Sequence, residues 1–403
     1  MTPFPGWAAA PACAGTAILI HVETGTRTFT GRLLSRKPIV LLGLISYSLY
    51  LWHWPILAFA RYAHIEPLSA WQRISLVSGA AFLAIFSWHL VEKPFRTAPT
   101  PGSWRPAFAR AGVLTVLLVA CGGLYFGSSG MPWRISREIL AVVDDRQYLA
   151  SAWQCHMVHT RKADKLCVRG ARTTPAFLLV GDSHAAAASG SVFTAAEQAG
   201  LAGYQLTEPG YVPTFGYARS GQETGYNALN DRLIGELDRD PGVKLIVVIA
   251  YWAQAISENR YYGTGGDLVF GHEAVSRGIG GLARRYPDRT FLLMTAPPHS
   301  DLFGAHVLGR EMLFDRFLNT DLSISAYHQA NLPYQKVFRN LSTLPNLEFI
   351  DVETSLCSRN VCPSRLPDGT LMYRDGNHLT ARAANRLTPL FREFFVAWKG
   401  KGN

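Results

Sequence analysis

The sequence lacks several patterns that would fix its class at once. It has no internal repeat and no low-complexity tract, so neither a repeat array nor a biased linker is its main architecture. Acidic residues are scarce before residue 128, where ten Lys and Arg residues stand against only Glu23, Glu66 and Glu92. The rest of the chain has 29 basic and 26 acidic residues, so the net charge of +10 is concentrated at the front and does not indicate a nucleic-acid partner.

Cysteine is also scarce, and its spacing favours disulfides over zinc. Two of the six cysteines, Cys13 and Cys121, fall in apolar stretches and are expected to be small buried residues. The other four contain no Cys-x-x-Cys pair, the usual knuckle of a structural zinc site, so no metal is expected. We predict two short-loop disulfides in an oxidising compartment, with zinc as the competing interpretation. The predicted pairs are Cys155 with Cys167 and Cys357 with Cys362.

Apolar sequence is abundant in the first third of the chain. Four stretches there are near the length needed to cross a bilayer, so we predict about four transmembrane helices. The second connecting loop carries only Arg61 and Arg73, whereas the first and third are rich in Lys and Arg. By the positive-inside rule, the first and third loops are cytoplasmic and everything after residue 127 lies outside the cytoplasm. The stretches are residues 7–21, 38–60, 71–91 and 111–126.

The same topology places Met1 outside the cytoplasm, although no charged region or cleavage site of a signal peptide is present. An odd number of upstream helices would resolve this conflict. We therefore predict that the chain is the tail of a longer membrane protein.

The apolar run 177–180 ends in the turn Gly181-Asp182-Ser183-His184, which is how a strand presents a nucleophile. The alternative is a helix cap without chemistry, because Asp and Ser are preferred at the residue before a helix. An alanine-rich helix follows directly, and its first N–H groups and positive dipole end would face the serine.

An acid and a histidine near the end of the chain complete a possible triad. Asp375 precedes His378 by three positions, a spacing that lets one short turn aim both side chains the same way. We predict that Ser183 is the nucleophile, that His378 takes its proton, and that Asp375 orients the imidazole. His184 is a competing base, but consecutive helix residues do not face each other, so His378 is preferred.

From about residue 151 onwards, short apolar runs alternate with helical patterns. Continuous apolar strands of this kind are typical of a parallel sheet covered on both faces, with ligands at the carboxyl ends of the strands. We predict strands at 177–180, 244–251, 290–295 and 347–352. We predict helices at 185–199, 228–238, 273–285, 324–341 and 381–398.

The two blocks around the predicted triad resemble those of the SGNH hydrolases, whose serine lies in Gly-Asp-Ser and whose last block is Asp-x-x-His. The forms Gly-Asp-Ser-His and Tyr-Arg-Asp-x-Asn-His-Leu are similar to SGNH domains fused behind membrane proteins of the acyltransferase 3 family. Residues 43–55 and 91–96 resemble the last helices of that family's membrane domain. The resemblance implies a helical transmembrane segment followed by an α/β domain with a parallel, flavodoxin-like sheet.

The resemblance also implies the domain boundaries. Residues 1–127 would be the C-terminal remnant of an acyltransferase 3 membrane domain plus the helix that links it onward. Residues 128–150 would be a linker or extension, with a helix-like pattern over 135–149. Residues 151–403 would be the SGNH hydrolase-like domain.

An oxyanion hole in this family uses backbone N–H groups of the serine and of a second-block glycine, which here implies Ser183 and Gly210. A Pro-Gly turn without chemical duty is the alternative for Gly210. The family's third block, Gly-x-Asn-Asp, is not matched, because the next strand runs into Tyr-Trp-Ala-Gln without an asparagine. Trp252 and Gln254 are candidates to line the acyl pocket or donate a hydrogen bond, with a buried aromatic as the alternative for Trp252.

The implied function is O-acylation, with acetyl as the expected group, of a cell-envelope polysaccharide through an acyl-enzyme on Ser183. The implied location is the bacterial inner membrane, multi-pass, with the SGNH domain on the periplasmic side. No cofactor is expected on this chain, since acetyl-coenzyme A would act only through membrane helices that it lacks, and that absent portion is an expected partner. Two alternatives stay open: an esterase or deacetylase in which water takes the acyl group, and a non-enzymatic envelope protein with a vestigial serine turn.

Overall fold

The computed structural model describes residues 7–23, 28–64, 68–96, 104–137, 140, 155–156, 165–314 and 319–402. The chain divides into two compact units, one up to Pro132 and one from Trp133. This boundary falls within the predicted linker at 128–150. The helix predicted over 135–149 lies almost wholly outside the described residues.

The first unit is helical. Its helices α3 and α4 pack against each other, and the Ser48 hydroxyl donates to a Glu92 carboxylate oxygen at 2.8 Å, at the end of a π-helical turn that continues α4. The helices are α1 Ala10–Glu23, α2 Phe29–Leu34, α3 Lys37–Ala63, α4 Ala70–Ser87, α5 Lys93–Arg96 and α6 Trp104–Gly127.

Two segments of this unit are long and apolar enough to cross a membrane, Lys37–Ala63 and Ala70–Glu92. The apolar helices Ala10–Val22 and Ala111–Gly127 are shorter. The described residues therefore support two of the four predicted spans and do not confirm the other two. Cys13 and Cys121 are exposed on these shorter helices, so the expectation that they are buried is wrong within the described structure.

The second unit is built on a six-stranded sheet of order β1-β3-β2-β5-β8-β10. β1 is antiparallel to β3, and the other neighbours are parallel. Without β1, the strands follow the order second, first, third, fourth, fifth along the chain, which is the flavodoxin-like arrangement that was predicted. The sheet strands are β1 Cys167–Gly170, β2 Pro175–Gly181, β3 Ala202–Thr207, β5 Leu245–Ile249, β8 Thr290–Met294 and β10 Leu347–Ile350.

Two small antiparallel sheets lie beside the main one. One pairs β4 with β6 and β6 with β7, and the other pairs β9 with β11. These strands are β4 Tyr217–Arg219, β6 Arg260–Gly263, β7 Leu268–Phe270, β9 Leu322–Ser323 and β11 Val361–Cys362.

Helices cover both faces of the main sheet, because successive side chains of each apolar strand point to opposite faces. Leu178 and Val180 of β2 pack with α8, α9 and α11, whereas Phe177 and Leu179 pack with α7 and α14. The helix predicted at 381–398 is two helices joined by a 3-10 turn, and Pro389 stands at the start of the second. The helices are α7 Ser183–Gln198, α8 Glu223–Arg239, α9 Gly271–Arg285, α10 Ala305–Phe314, α11 Ile324–Leu341, α12 Glu353–Leu356, α13 Ala381–Ala384 and α14 Thr388–Gly400.

Both predicted disulfides are present, so these four cysteines are not zinc ligands. Cys155 is bonded to Cys167 and Cys357 to Cys362. The first bond joins β1 to the segment that carries His156. The buried imidazole of His156 lies with its Nδ1 3.0 Å from the Thr207 hydroxyl at the end of β3.

Removing the first disulfide is expected to cost more than removing the second. The two bonds close loops with sequence separations of 12 and 5 residues, for which loop entropy gives about 3 and about 2 kcal/mol. The Cys155→Ser/Cys167→Ser protein should therefore lose more unfolding free energy than the Cys357→Ser/Cys362→Ser protein, as measured by thermal unfolding at matched detergent and pH. Equal losses would contradict the loop-length argument.

Candidate active site

The serine turn depends on a glycine. Gly181 ends β2 with φ of +151°, a backbone conformation that residues with a Cβ rarely adopt. A Cβ at this position would lie 1.8 Å from the carbonyl oxygen of Ile249 on the neighbouring strand β5. The close strand pairing and the abrupt exit from β2 therefore both require glycine, and the exit places Ser183 at the first residue of α7.

Asp182 fixes the turn on both sides. Its Oδ1 accepts the His184 N–H at 2.8 Å and caps α7, and its Oδ2 accepts the Tyr251 N–H at 2.7 Å. Burial raises the pKa of this carboxyl to about 6, although the two N–H donors oppose the shift. The turn is thus a helix cap, as the alternative interpretation held, and it also ties the serine to the loop after β5.

A pH-dependent stability is expected from Asp182. Because its pKa is raised, the folded state holds the proton more tightly between about pH 4 and pH 6, and stability from this group falls as pH rises through that window. The stability advantage of the wild type over Asp182→Asn should shrink by about 3 kcal/mol from below pH 4 to above pH 6. Denaturant unfolding of both proteins at the two pH values measures this, and a pH-independent difference would refute it.

The three predicted triad side chains meet although 195 positions separate the serine from the histidine. Ser183 Oγ lies 2.7 Å from His378 Nε2. His378 Nδ1 lies 2.9 and 2.8 Å from the two carboxylate oxygens of Asp375. With the ring proton on Nδ1 donated to the carboxylate, Nε2 is free to accept the serine hydroxyl, which is the arrangement that general-base activation requires.

Asp375 and His378 belong to one hairpin. The Arg374 N–H donates to the His378 carbonyl at 2.9 Å, and Tyr373 pairs with Leu379 across the hairpin. The Asp375 Oδ1 also accepts the His378 N–H at 2.9 Å. Burial raises the pKa of Asp375, but the hydrogen bonds from the His378 ring and backbone outweigh it and hold that pKa well below its usual range. The carboxylate is therefore ionised whenever the histidine must be oriented.

The segment after β8 supports this hairpin. Gly304 has φ of +101°, and a Cβ there would lie 2.5 Å from the Asp375 Cα. The Ser300 N–H donates to the Gly376 carbonyl at 2.8 Å, and the Ala305 N–H donates to the Arg374 carbonyl at 3.2 Å. Backbone hydrogen bonds from the segment after β8 thus fix the hairpin that carries Asp375 and His378.

His184 lies beside the triad without bonding to the nucleophile. Its buried ring stacks on Tyr251 with centroids 4.9 Å apart, and its centroid is 4.7 Å from that of His378. Burial lowers the pKa of His184 to about 3, and the charge that His378 carries when protonated acts in the same direction. A neutral packing ring agrees with the preference for His378 as base.

The two predicted oxyanion donors follow neighbouring strands. Gly181 and Thr207 are partners in the parallel pairing of β2 and β3, so Ser183 and Gly210 both come just beyond the same edge of the sheet. The Glu208 N–H donates to the Gly181 carbonyl at 3.1 Å and joins the two loops. Gly210 has φ of +69°, as expected of the tight turn that was its alternative interpretation. The oxyanion role of both N–H groups stays a prediction.

Trp252 does not line a pocket. It is fully buried, its indole N–H donates to the Met294 carbonyl at 2.7 Å, and its ring packs on Phe338. The alternative of a buried aromatic is therefore correct, because burial and a satisfied N–H leave no surface for a substrate. Gln254 is half-buried at the start of a π-helical turn, and its substrate role stays a prediction.

Sequence patterns missed the residues that support the triad. Tyr251 acts through its backbone N–H and its ring, and Gly304 through the absence of a side chain. Ser300 likewise contributes only a backbone N–H. Main-chain roles leave no residue-type signature, although the glycine in Leu-Phe-Gly304-Ala is a signal of close approach.

Known proteins of the O-acetyltransferase class are similar to parts of this chain. Two relatives are the O-acetyltransferase OatA of Staphylococcus aureus, 30% identical over 82 residues, and a protein of Bacillus subtilis named as peptidoglycan O-acetyltransferase YrhL, 38% identical over 82 residues. Each alignment covers 20% of this chain and only 14% and 13% of the respective relative. Among solved structures, the periplasmic domain of a lipopolysaccharide acetyltransferase from Salmonella ser. Paratyphi A aligns over 64% of this chain and 99% of its own, with 17% identity and a TM-score of 0.46.

The match to a protein family is more extensive. Residues 154–393 match the family described as SGNH domain (fused to AT3 domains), and this range contains Ser183, Asp375 and His378. Because the match spans more than half of the chain, the protein belongs to this family of SGNH domains that are fused to AT3 domains.

Proposed function

We propose that the second unit is a serine-dependent O-acyltransferase that modifies a cell-envelope polysaccharide. The observation that carries the proposal is the unbroken relay from Asp375 through His378 to the Ser183 hydroxyl, with contacts of 2.8 and 2.7 Å. Family membership and the names of the O-acetyltransferase relatives support the same reaction class. Acetyl is the proposed group, and peptidoglycan-like or lipopolysaccharide-like glycans are the proposed acceptors.

The proposed chemistry has two steps. In the first, Ser183 Oγ attacks the acyl carbonyl, its proton passes to His378 Nε2, and the leaving group departs with that proton. In the second, a sugar hydroxyl gives its proton to His378 and attacks the acyl-serine, so that Ser183 leaves reprotonated. Asp375 stabilises the imidazolium in both steps. The N–H groups of Ser183 and Gly210 are proposed to hold the oxyanion.

The membrane context is also part of the proposal. The two apolar segments of the first unit would anchor the chain in the bacterial inner membrane, with the second unit on the periplasmic side. The two disulfides of the second unit support an oxidising compartment. Acyl groups would come ultimately from cytoplasmic acetyl-coenzyme A. The resemblance implies that further acyltransferase 3 helices, in addition to those of residues 1–127, would carry them across the membrane and act as a partner.

An extracytoplasmic carbohydrate esterase is the second candidate. It is favoured by the access of water to the relay, since the Asp375 side chain is 40% exposed and that of His378 is 19% exposed. The two candidates differ in whether water or a sugar hydroxyl takes the acyl group from Ser183, and the products show which of them does. The purified full chain would be given p-nitrophenyl acetate with and without chitotetraose, and products would be followed by mass spectrometry.

A transferase is expected to yield acetylated oligosaccharide that rises with acceptor concentration at the expense of free acetate. If free acetate is the only product at every acceptor concentration, the transferase is rejected and the chain is an esterase. Failure of an active-site phosphonate to label Ser183 in the wild type would reject both and favour a non-enzymatic role.

A further inference from the structure

A pocket lined by both aromatic and polar side chains opens at the edge of the sheet that carries the serine. It has a volume of about 530 Å³ and lies against the ends of β8 and β10, since Thr295 and Asp351 each follow one of these strands directly. Helix α11 forms its other side. Its lining includes Thr295, Tyr327, Asn331, Phe349, Asp351 and Glu353.

One lining residue, Asn331, has an amide oxygen without a hydrogen-bond donor among the described residues. Asn331 is 1% exposed, and its Oδ1 accepts no hydrogen bond from any described residue. A buried carbonyl oxygen is nearly always paired in folded proteins, so a donor from a ligand is expected to fill this position. Tyr327 beside it is satisfied, because its hydroxyl donates to the Ala296 carbonyl at 2.8 Å.

The wall and rim have the chemistry of a sugar site. Phe349 is half-buried and packs on Phe338 with centroids 4.9 Å apart, which fixes an aromatic ring at the pocket wall. Asp351 and Glu353 place two carboxylates among the lining residues, which include one cation, Arg339. Asp351 Oδ1 accepts the Thr295 hydroxyl at 3.0 Å and Glu353 Oε2 lies 2.8 Å from His328 Nε2, so each group would offer a ligand its other oxygen. Acceptors for hydroxyl groups next to an aromatic ring suit a neutral sugar, whereas the excess of acidic groups disfavours a phosphate.

The position of the pocket relative to the triad suits an extended chain. β8 and β10 are the second and third strands from β2, so at a strand spacing of roughly 4.8 Å their ends lie about 10 to 15 Å from the end of β2. The segment after β8 connects the pocket to the triad. Its Ala296 carbonyl accepts the Tyr327 hydroxyl of the pocket, and its Ser300 N–H donates to the Gly376 carbonyl in the hairpin of Asp375. An oligosaccharide spans this distance and a single sugar does not.

We propose that this pocket binds one neutral sugar ring of the acceptor, at a distance from the ring that receives the acyl group. The proposal rests on the proposed transferase function and names a subsite for its acceptor. Asn331 would accept a sugar hydroxyl or amide N–H, Phe349 would pack on the ring face, and Glu353 would accept a second hydroxyl. Acceptors long enough to reach the pocket are then preferred over monosaccharides.

Binding is tested on full-length Ser183→Ala protein in detergent, titrated calorimetrically with chitotetraose and with cellotetraose. Saturable binding of either is expected, and Asn331→Leu, Phe349→Leu and Glu353→Gln should each weaken it by roughly tenfold, the loss expected for one hydrogen bond or one ring contact. Glu393→Gln is the matched control, because Glu393 is exposed on α14 at the opposite face of the sheet. Its binding should equal that of the parent protein.

Two results would overturn the subsite. One is the absence of saturable binding of either oligosaccharide at millimolar concentration, and the other is binding that all three pocket variants leave unchanged. If the buried substitutions lower the unfolding temperature, Glu353→Gln at the rim alone decides.

Turnover separates this proposal from the proposed function. With Ser183 restored, each pocket variant should hydrolyse p-nitrophenyl acetate like the wild type and need a roughly tenfold higher chitotetraose concentration for the same transfer. A wild type without ester turnover would reject the transferase, while the calorimetric titration would still decide the sugar site.

Discussion

Ser183→Ala is expected to abolish acyl-enzyme formation and to lower hydrolysis of p-nitrophenyl acetate by roughly 10⁴- to 10⁶-fold, since the parts of a triad act as a unit. The same relay predicts a loss of similar size for His378→Ala, because no other base contacts the Ser183 hydroxyl among the described residues. The doubly substituted protein should be no worse than either single variant. Initial rates of the three full-length proteins, with intact mass after phosphonate labelling, measure these effects.

His184→Gln is the control for the histidine. Its ring packs on Tyr251 and bonds to neither Ser183 nor Asp375, so the variant should keep phosphonate labelling and lose at most a modest part of the rate. Loss of labelling in His184→Gln, with labelling retained in His378→Ala, would reverse the assignment of the base.

Gly181→Ala is expected to have the largest effect on stability. The added methyl group would meet the Ile249 carbonyl at 1.8 Å, at the last residue pair of the two central parallel strands β2 and β5. A clash with backbone at a positive φ places the variant in the rare class that costs about 4 kcal/mol or more. Thermal and denaturant unfolding of the full-length protein would show a lowered midpoint or no folded second unit.

Gly190→Ala is the matched control for this substitution. Gly190 lies in the middle of α7, nine residues along the chain, and a Cβ there meets nothing within 4 Å. Alanine at a helix interior is favoured over glycine by about 0.5 to 1 kcal/mol, so this variant should unfold at a slightly higher temperature than the wild type. Equal behaviour of the two variants would mean that the Ile249 contact is not close.

The sequence could predict those parts of the fold in which residue type and burial agree. The apolar run 177–180 and its glycine belong to β2 of the central sheet, and buried runs such as 244–251 mark further parallel strands. The serine and the Asp-x-x-His block were predictable because both combine chemistry-bearing side chains with a short, fixed spacing. The flavodoxin-like strand order came from the family resemblance rather than from periodicity.

Other strands could not be predicted. β3, Ala202–Thr207, carries Gly203 and polar Gln205 and has few β-branched residues, and it is a strand because its neighbours β1 and β2 bury it. β1 is a four-residue edge with Val168 54% exposed, too short and too open to give an apolar pattern. Trp252 shows the same limit at the site, since its residue type and position allowed either a pocket residue or a buried aromatic, and tertiary packing placed it in the core.

The hairpin that carries both Asp375 and His378 has a mechanical consequence. Acid and base are bound to each other and to shared backbone, so they move as one rigid piece against the start of α7. Reactivity of the serine then depends on one interatomic separation, that between Nε2 and Oγ. A displacement of the hairpin by about one ångström would break the contact between His378 and the Ser183 hydroxyl while leaving the hydrogen bonds between Asp375 and His378 intact. The serine would then be unreactive although the acid and the base are still correctly paired.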